Sequence, residues 1–291
     1  MRKIVMFIVL FSLCCFIASA QVNHLLISEF CVTGTPGEFI EIYNGTGSTV
    51  NLENYYLYDA NYNNDDAYIN VVDSSFSGYI YDFLCKFPSG ASIANGQYLV
   101  VALDGAGFNT TYGFDADYEI LGTSGTVTDM VETQSGSIGA TAGITNSGEI
   151  ILLFYWDGTS DLVQDVDYVD YEETATGSAG GNSEAIDKTG KTKDGPDGDS
   201  VASAYLNDTA VASQIPAINH AYGESLARSN VTSEASETGS GGNGITGHDE
   251  TSENFYTAFV VDTTPSPGQA FLVPPTPGPS TAVSVHWELY Q

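Results

Sequence analysis

Two carboxylates three residues apart, Glu38 and Glu41 in GEFIEIYNGTGSTVNLENYYLYD (37–59), are the first groups in this chain that could do acid/base chemistry. In an extended segment an odd separation points two side chains to opposite faces. A retaining glycosidase needs its carboxyls about 5 Å apart over one cleft, so the spacing argues against a catalytic pair. Glu29 and Glu38 remain as residues that cap a strand or contact a cation. His24, His220, His248 and His286 are scattered, with no H-x-H or H-E-x-x-H spacing, and indicate no zinc set. GKT at 190–192 lacks the first glycine of a phosphate loop, Ala185 standing in its place, and has no strand before it or helix after it. No G-x-S-x-G elbow occurs. Catalysis by the chain's own residues is not expected.

Oxygen-rich loops are the better chemical candidates. Asp59, Asn61, Asn63 and Asp65 place an oxygen ligand at every second residue, the spacing with which a tight loop wraps Ca2+. The full calcium-loop pattern fails, because Asn64 stands at the glycine position and Asn70 at that of the closing glutamate. A second set gathers Asp187, Asp194, Asp197 and Asp199 around Gly195 and Gly198, glycines that permit the turns a coordinating loop needs. Ca2+ is the cofactor these loops point to, and solvated acidic loops are the plain alternative.

The elements that must position these groups begin after residue 20. Arg2 and Lys3, an apolar run over 4–17 and Ala18-Ser19-Ala20 have the layout of a cleaved secretory signal. The run is too short for a membrane span, which takes about 20 residues. The mature chain is therefore expected to be secreted or held at the cell surface. The chain carries seven Lys and Arg against 37 Asp and Glu, a net charge of -30. Such a field repels nucleic acid and anionic lipid, so binding of nucleic acid through a basic face is excluded. Beyond the signal the cations are Lys86, Lys188, Lys191, Lys193 and Arg228, and the cysteines are Cys31 and Cys85. In an oxidising compartment these two either form one bridge or remain separate buried thiols. Spacing alone leaves both open.

Aromatic and β-branched residues dominate, glycine and asparagine punctuate, and no helical apolar period is sustained. The chain reads as all-β, with strands expected over 24–32, 38–44, 55–59, 68–72, 79–87, 97–103, 149–156, 162–171 and 254–261. Short strands with turns between them over one long stretch indicate a β-sandwich. In the second strand Ile40 and Ile42 form an aliphatic face that must be core, leaving Glu41 outward between Phe39 and Tyr43. Tyr43, Tyr55, Tyr56 and Tyr58 are then the candidates for an exposed contact surface, with ordinary cross-strand packing as the plainer account. From about 172 to 253 small polar residues take over, and a long irregular insertion is expected. VPPTPGPS from Val273 reads as a stiff linker, and the stretch to Gln291 is too short to fold alone.

The order of motifs resembles the lamin tail domain family, as found in secreted bacterial proteins. LLISEF (25–30), EFIEIYN (38–44) and VNLENYYLYD (50–59) are similar to its first strands, and FPSGASIANGQYLVV (87–101) to its next turn and strand. TNSGEIILLFYWDG (145–158) is similar to the hairpin that follows, and GESLAR (223–228) with TPSPGQ (264–269) to its closing segment. Asn54-Tyr55 and Phe271 depart from residues common in the family. The resemblance, which runs over about 21–272, implies an immunoglobulin-like β-sandwich without catalytic residues of its own. It also implies a module for attachment, surface display or interaction with an extracellular protein or surface glycan. The alternative it implies is an accessory domain of an extracellular hydrolase, a nuclease or phosphatase, with its catalytic part elsewhere. WELYQ (287–291) is similar to the start of the sorting domain of the Bacteroidetes type IX secretion system.

Overall fold

The computed structural model describes residues 22–271 except 33, 35, 36, 60–66, 79 and 181–184. The signal segment 1–20 and the stretch 273–291 lie outside the described residues. Among the described residues the strands build two large sheets and two two-stranded ribbons, Val50–Asn51 with Ser92–Ile93 and Thr192–Lys193 with Ser203–Ala204. The first orders seven strands: Phe259–Asp262, Ser225–Arg228, Leu25–Cys31, Phe39–Asn44, Tyr98–Ala102, Tyr118–Glu119 and Thr128–Asp129. The second orders six: Val131–Glu132, Leu84–Lys86, Tyr55–Asp59, Gly148–Tyr155, Gln164–Glu172 and Ala217–Ile218.

The two sheets pack as an immunoglobulin-like sandwich. Ile27, Phe30, Ile40 and Ile42 from the first and Leu57, Ile151, Leu153 and Val169 from the second are buried in one hydrophobic core. Phe30 meets Tyr171 across the layers at 5.5 Å between ring centroids. Ile40 and Ile42 are fully buried, as their alternation requires. The other face of the first sheet is covered as well. Phe39, Val100 and Ala102 pack against Phe108 of the helix Gly105–Tyr112. Its start is capped by Asp104, which accepts from Gly107 N, and its end by Gly113 at φ 83°.

The second sheet's outer face is buried under irregular chain. Tyr58 and Phe154 pack on Tyr68, and Tyr168 packs on Phe255. The Tyr168 hydroxyl donates to Gln214 Oε1 at 3.0 Å and accepts from Ile186 N at 3.2 Å. The long stretch 172–253 is therefore a third layer built into the same core, to which it contributes Ile186, Tyr205, Ala217 and Leu226. It also supplies Ser225–Arg228 as an interior strand of the first sheet.

Three strand expectations change. Residues 68–72 fall in a 3-10 turn, Ala67–Val71, because a short unbroken apolar run carries no period to separate strand from buried helix. The stretch 79–87 is strand only at Leu84–Lys86, and 254–261 divides into a helical turn, Phe255–Ala258, and the strand Phe259–Asp262. Cys31 and Cys85 are separate buried thiols and not a bridge. They belong to different sheets and different apolar clusters, Cys31 beside Phe39 and Phe108, Cys85 inside the inter-sheet core.

Candidate functional site

Asp59 ends its strand fully buried, and its surroundings are acidic. It pairs with Ile151 of the neighbouring strand, which places it on the same sheet face as Glu149. Carboxylate oxygens of Asp59, Asp82 and Glu149 lie within 4.8 Å of one another. Asp59 Oδ1 accepts from Phe83 N at 2.5 Å, and its Oδ2 has no hydrogen-bond partner among the described residues. Glu149 Oε2 accepts from Thr145 N at 2.6 Å. Burial first, then the charge of Glu149, pushes the Asp59 carboxyl well above the ordinary range. Such a set is neutralised by a proton or by a hard cation with oxygen preference, such as Ca2+. Asn61, Asn63 and Asp65 lie outside the described residues. The sequence signal for the partners was an acid interrupting an apolar run, Asp82 in YIYDFL and Glu149 at the head of EIILLF.

The second expected set divides. Asp194 and Asp197 converge with Asp161, which the sequence reading did not include. Asp187 instead accepts from Thr189 N, and Asp199 from Val201 N, each in its own turn. Asp161 is held by Gly195 N at 2.8 Å and Ser203 Oγ at 2.5 Å. Asp161, Asp197 and Ser203 border a groove of about 660 Å³ whose lining also includes Tyr155, Trp156, Asp157 and Tyr205. The Trp156 indole donates to Ser160 O at 2.8 Å, and Asp157 accepts from Thr159 N, Ser160 N and Ser160 Oγ. Slight burial opposes ionisation of Asp157, yet those bonds hold its carboxyl at about 2. The groove thus presents aromatic surface beside a fixed negative charge.

The expected tyrosine surface is a correction. Tyr55, Tyr56 and Tyr58 are buried, and Tyr43 is half-buried against Tyr98 at 4.7 Å. Tyr56 stacks on Phe154 at 4.9 Å, and Tyr55 meets Tyr155 at 5.3 Å. They are cross-strand packing: Tyr55 lies on the same side of its strand as Leu57, toward the inter-sheet core, and Tyr58 is covered by Tyr68 of the 3-10 turn Ala67–Val71.

Glu41 does leave the core face, but into a second buried site. It stands opposite Glu29 across the first two strands, beside a bulge that begins after Ile27. The TPSPGQ segment closes over both. Ser266 N and Oγ donate to Glu29, and Gly268 N donates to Glu41 Oε2 at 2.6 Å. Glu41 is pushed up to about 8 by burial first, with the Glu29 charge adding to it, while donation from Ser28 opposes the rise. A carboxyl raised in the fold stabilises it while protonated; that contribution is complete below the unfolded value of 4.5 and is lost as pH rises through about 8. Glu41→Gln cannot ionise. Urea unfolding is expected to show wild type losing about 2–4 kcal/mol relative to this variant between about pH 4 and 9; parallel curves would refute it.

The family model described as the Lamin Tail Domain matches residues 18–172. The chain belongs to the lamin tail domain family. The match ends with the strand Gln164–Glu172, so two strands of the first sheet of this lamin tail domain, Ser225–Arg228 and Phe259–Asp262, come from outside the matched range. Among solved structures, the chain is similar to a DUF4876 family protein from Bacteroides thetaiotaomicron VPI-5482, at 15% identity and a TM-score of 0.45, over 84% of this chain and 72% of that one. No curated protein matches. The lamin tail domain also brings together residues that sequence spacing had kept apart: the rings of His24 and His248 lie 5.4 Å apart between centroids. Their separation along the chain hid them, and no local motif could have shown the pair.

Proposed function

We propose that this lamin tail domain is an exported, non-catalytic module that attaches to surface carbohydrate through the groove beside Trp156. The signal layout of residues 1–20 supports export. Among the described residues no helix is long and apolar enough to cross a membrane. The observation that carries the binding role is the groove lining, with Tyr155, Trp156 and Tyr205 beside Asp157 and Asp161. Aromatic faces take the C–H side of a sugar ring, and fixed carboxylates accept from its hydroxyls. The carboxylates are already held by backbone and serine donors, so little ordering is lost on binding. An anionic polymer is disfavoured by the net charge of -30.

The test is a screen of neutral polysaccharides with wild type and Trp156→Ala. At least one polysaccharide should bind wild type and lose about tenfold or more in affinity in the variant, as for removal of an aromatic anchor. A screen with no binder, or a variant that binds as wild type does, would sink the carbohydrate reading.

A further inference from the structure

Four side chains from distant parts of the chain converge where the first strand begins. They are His24, directly before the strand Leu25–Cys31, Glu234 and Glu237 in the turns after Ser225–Arg228, and His248, shortly before the 3-10 turn Glu250–Ser252. One ligand atom from each lies within 4.8 Å of the others.

Lone pairs of His24, Glu234 and Glu237 are left without donors in this cluster. His24 Nδ1 sits 2.6 Å from Val166 O. A carbonyl oxygen only accepts, so the proton is on Nδ1 and Nε2 presents a lone pair; a hydrogen bond from the other ring nitrogen to a carbonyl is what orients a metal-binding histidine. That Nε2 is buried, with no hydrogen-bond donor, 2.7 Å from Glu234 Oε2. Glu234 Oε1 and Glu237 Oε1 are likewise buried without hydrogen-bond partners, and His248 Nδ1 and Glu237 Oε2 share a hydrogen bond at 3.0 Å whose proton a metal at this site would displace.

Charge around the cluster is unbalanced in the same sense. Asp167, Glu250 and Glu253 are buried nearby, and Arg228 is the cation that faces Asp167, Glu234 and Glu253. A pocket of about 210 Å³ lined by Val22, Asn23, Thr232, Ser233 and Gly239 reaches the four residues. We propose that His24, Glu234, Glu237 and His248 form a binding site for a divalent first-row transition metal, Zn2+ being the best fit. Two imidazoles and two carboxylates make a closed four-coordinate set for Zn2+. Ca2+ and Mg2+ take oxygen ligands and are poorly served by imidazole. Four protein ligands leave no open position, so the metal's role is structural: it fastens the start of the first strand to the third layer.

The experiment uses the full chain, stripped with chelator and titrated with ZnCl2 by calorimetry, with CoCl2 absorption as a spectroscopic probe. One equivalent of Zn2+ is expected to bind, Co2+ to show the intense visible bands of a four-coordinate site, and Zn2+ to raise Tm by several degrees. His248→Ala and Glu237→Gln should weaken Zn2+ at least about tenfold and abolish most of the Zn2+-dependent rise in Tm, each compared with its own stripped form. Millimolar Ca2+ should leave the Zn2+ titration unchanged. Absence of stoichiometric Zn2+ binding to wild type would overturn the proposal, as would unchanged affinity in both variants or displacement of Zn2+ by Ca2+.

Discussion

Arg228→Met is expected to cost about 3–5 kcal/mol of stability near neutral pH, the loss that follows when one partner of a buried ion pair is removed. Arg228 is fully enclosed in the strand Ser225–Arg228, and its guanidinium forks in two directions. Nη1 donates to both oxygens of Glu253 at 2.8 and 3.0 Å, and Nη2 to both oxygens of Asp167 at 3.0 Å. Its Nε donates to Ile27 O at 3.1 Å, and the Phe259 ring lies 4.8 Å from its central carbon. One side chain therefore ties the first sheet to the second through Asp167 and to the third layer through Glu253. Burial already pushes Asp167 up to about 7, with Arg228 the charge that opposes the rise. Without the guanidinium the carboxyl rises further, so the variant's fold favours the protonated acid. A raised carboxyl contributes its stability at low pH and loses it as pH rises, so the deficit against wild type should be smallest near pH 4 and largest above 7. Denaturant unfolding at both ends of that range checks this. An equal deficit throughout would mean that lost packing, and not the stranded carboxylates, sets the cost.

Lys188→Met is expected to have an effect of similar size but a different character. Lys188 is fully buried, with Nζ 2.6 Å from Asp165 Oδ2 and 2.8 Å from Asp208 Oδ2, flanked by the rings of Tyr68 and Tyr205 at 5.9 and 6.0 Å. Asp165 belongs to the second sheet, whereas Lys188 and Asp208 belong to the third layer. Methionine fills the same volume and removes only the charge, leaving two buried carboxylates without their cation at about 3–5 kcal/mol. Adding Asp165→Asn and Asp208→Asn should recover much of that loss, because an absent ion pair costs less than half of one. The single variant should also open the third layer locally, seen as faster amide exchange over 186–209 than over the strands of the first sheet. Uniform exchange, or a triple variant no more stable than the single one, would contradict the assignment.

Both lysine and arginine sites show why the candidate sites were only partly legible. Asp165 and Asp167 interrupt an alternating strand, and by composition they read as the wet side of a half-exposed element. Only the return of 186–208 and 225–228 to those strands makes them buried partners. Asp59 was recognisable as an oxygen donor, but its partners Asp82 and Glu149 come from elsewhere in the chain. The insertion misled for a related reason: its small polar residues carry no period, yet they bring the hydrogen-bonding groups that dock it, Gln214 on Tyr168 and the Ile186 amide on the same hydroxyl.

By itself the sequence determined the all-β class, the sandwich, the family and the inward face of Ile40 and Ile42. All of these rest on short-range alternation, turn residues and the order of motifs, which are local properties of a chain. The tertiary structure alone decided which polar faces were covered. It buried Glu41 under the closing segment, Tyr55, Tyr56 and Tyr58 in ring packing, and kept Cys31 apart from Cys85. It also set His24 beside His248. Alternation reports which side of a strand is apolar, whereas the environment of the other side depends on a segment arriving from far along the chain.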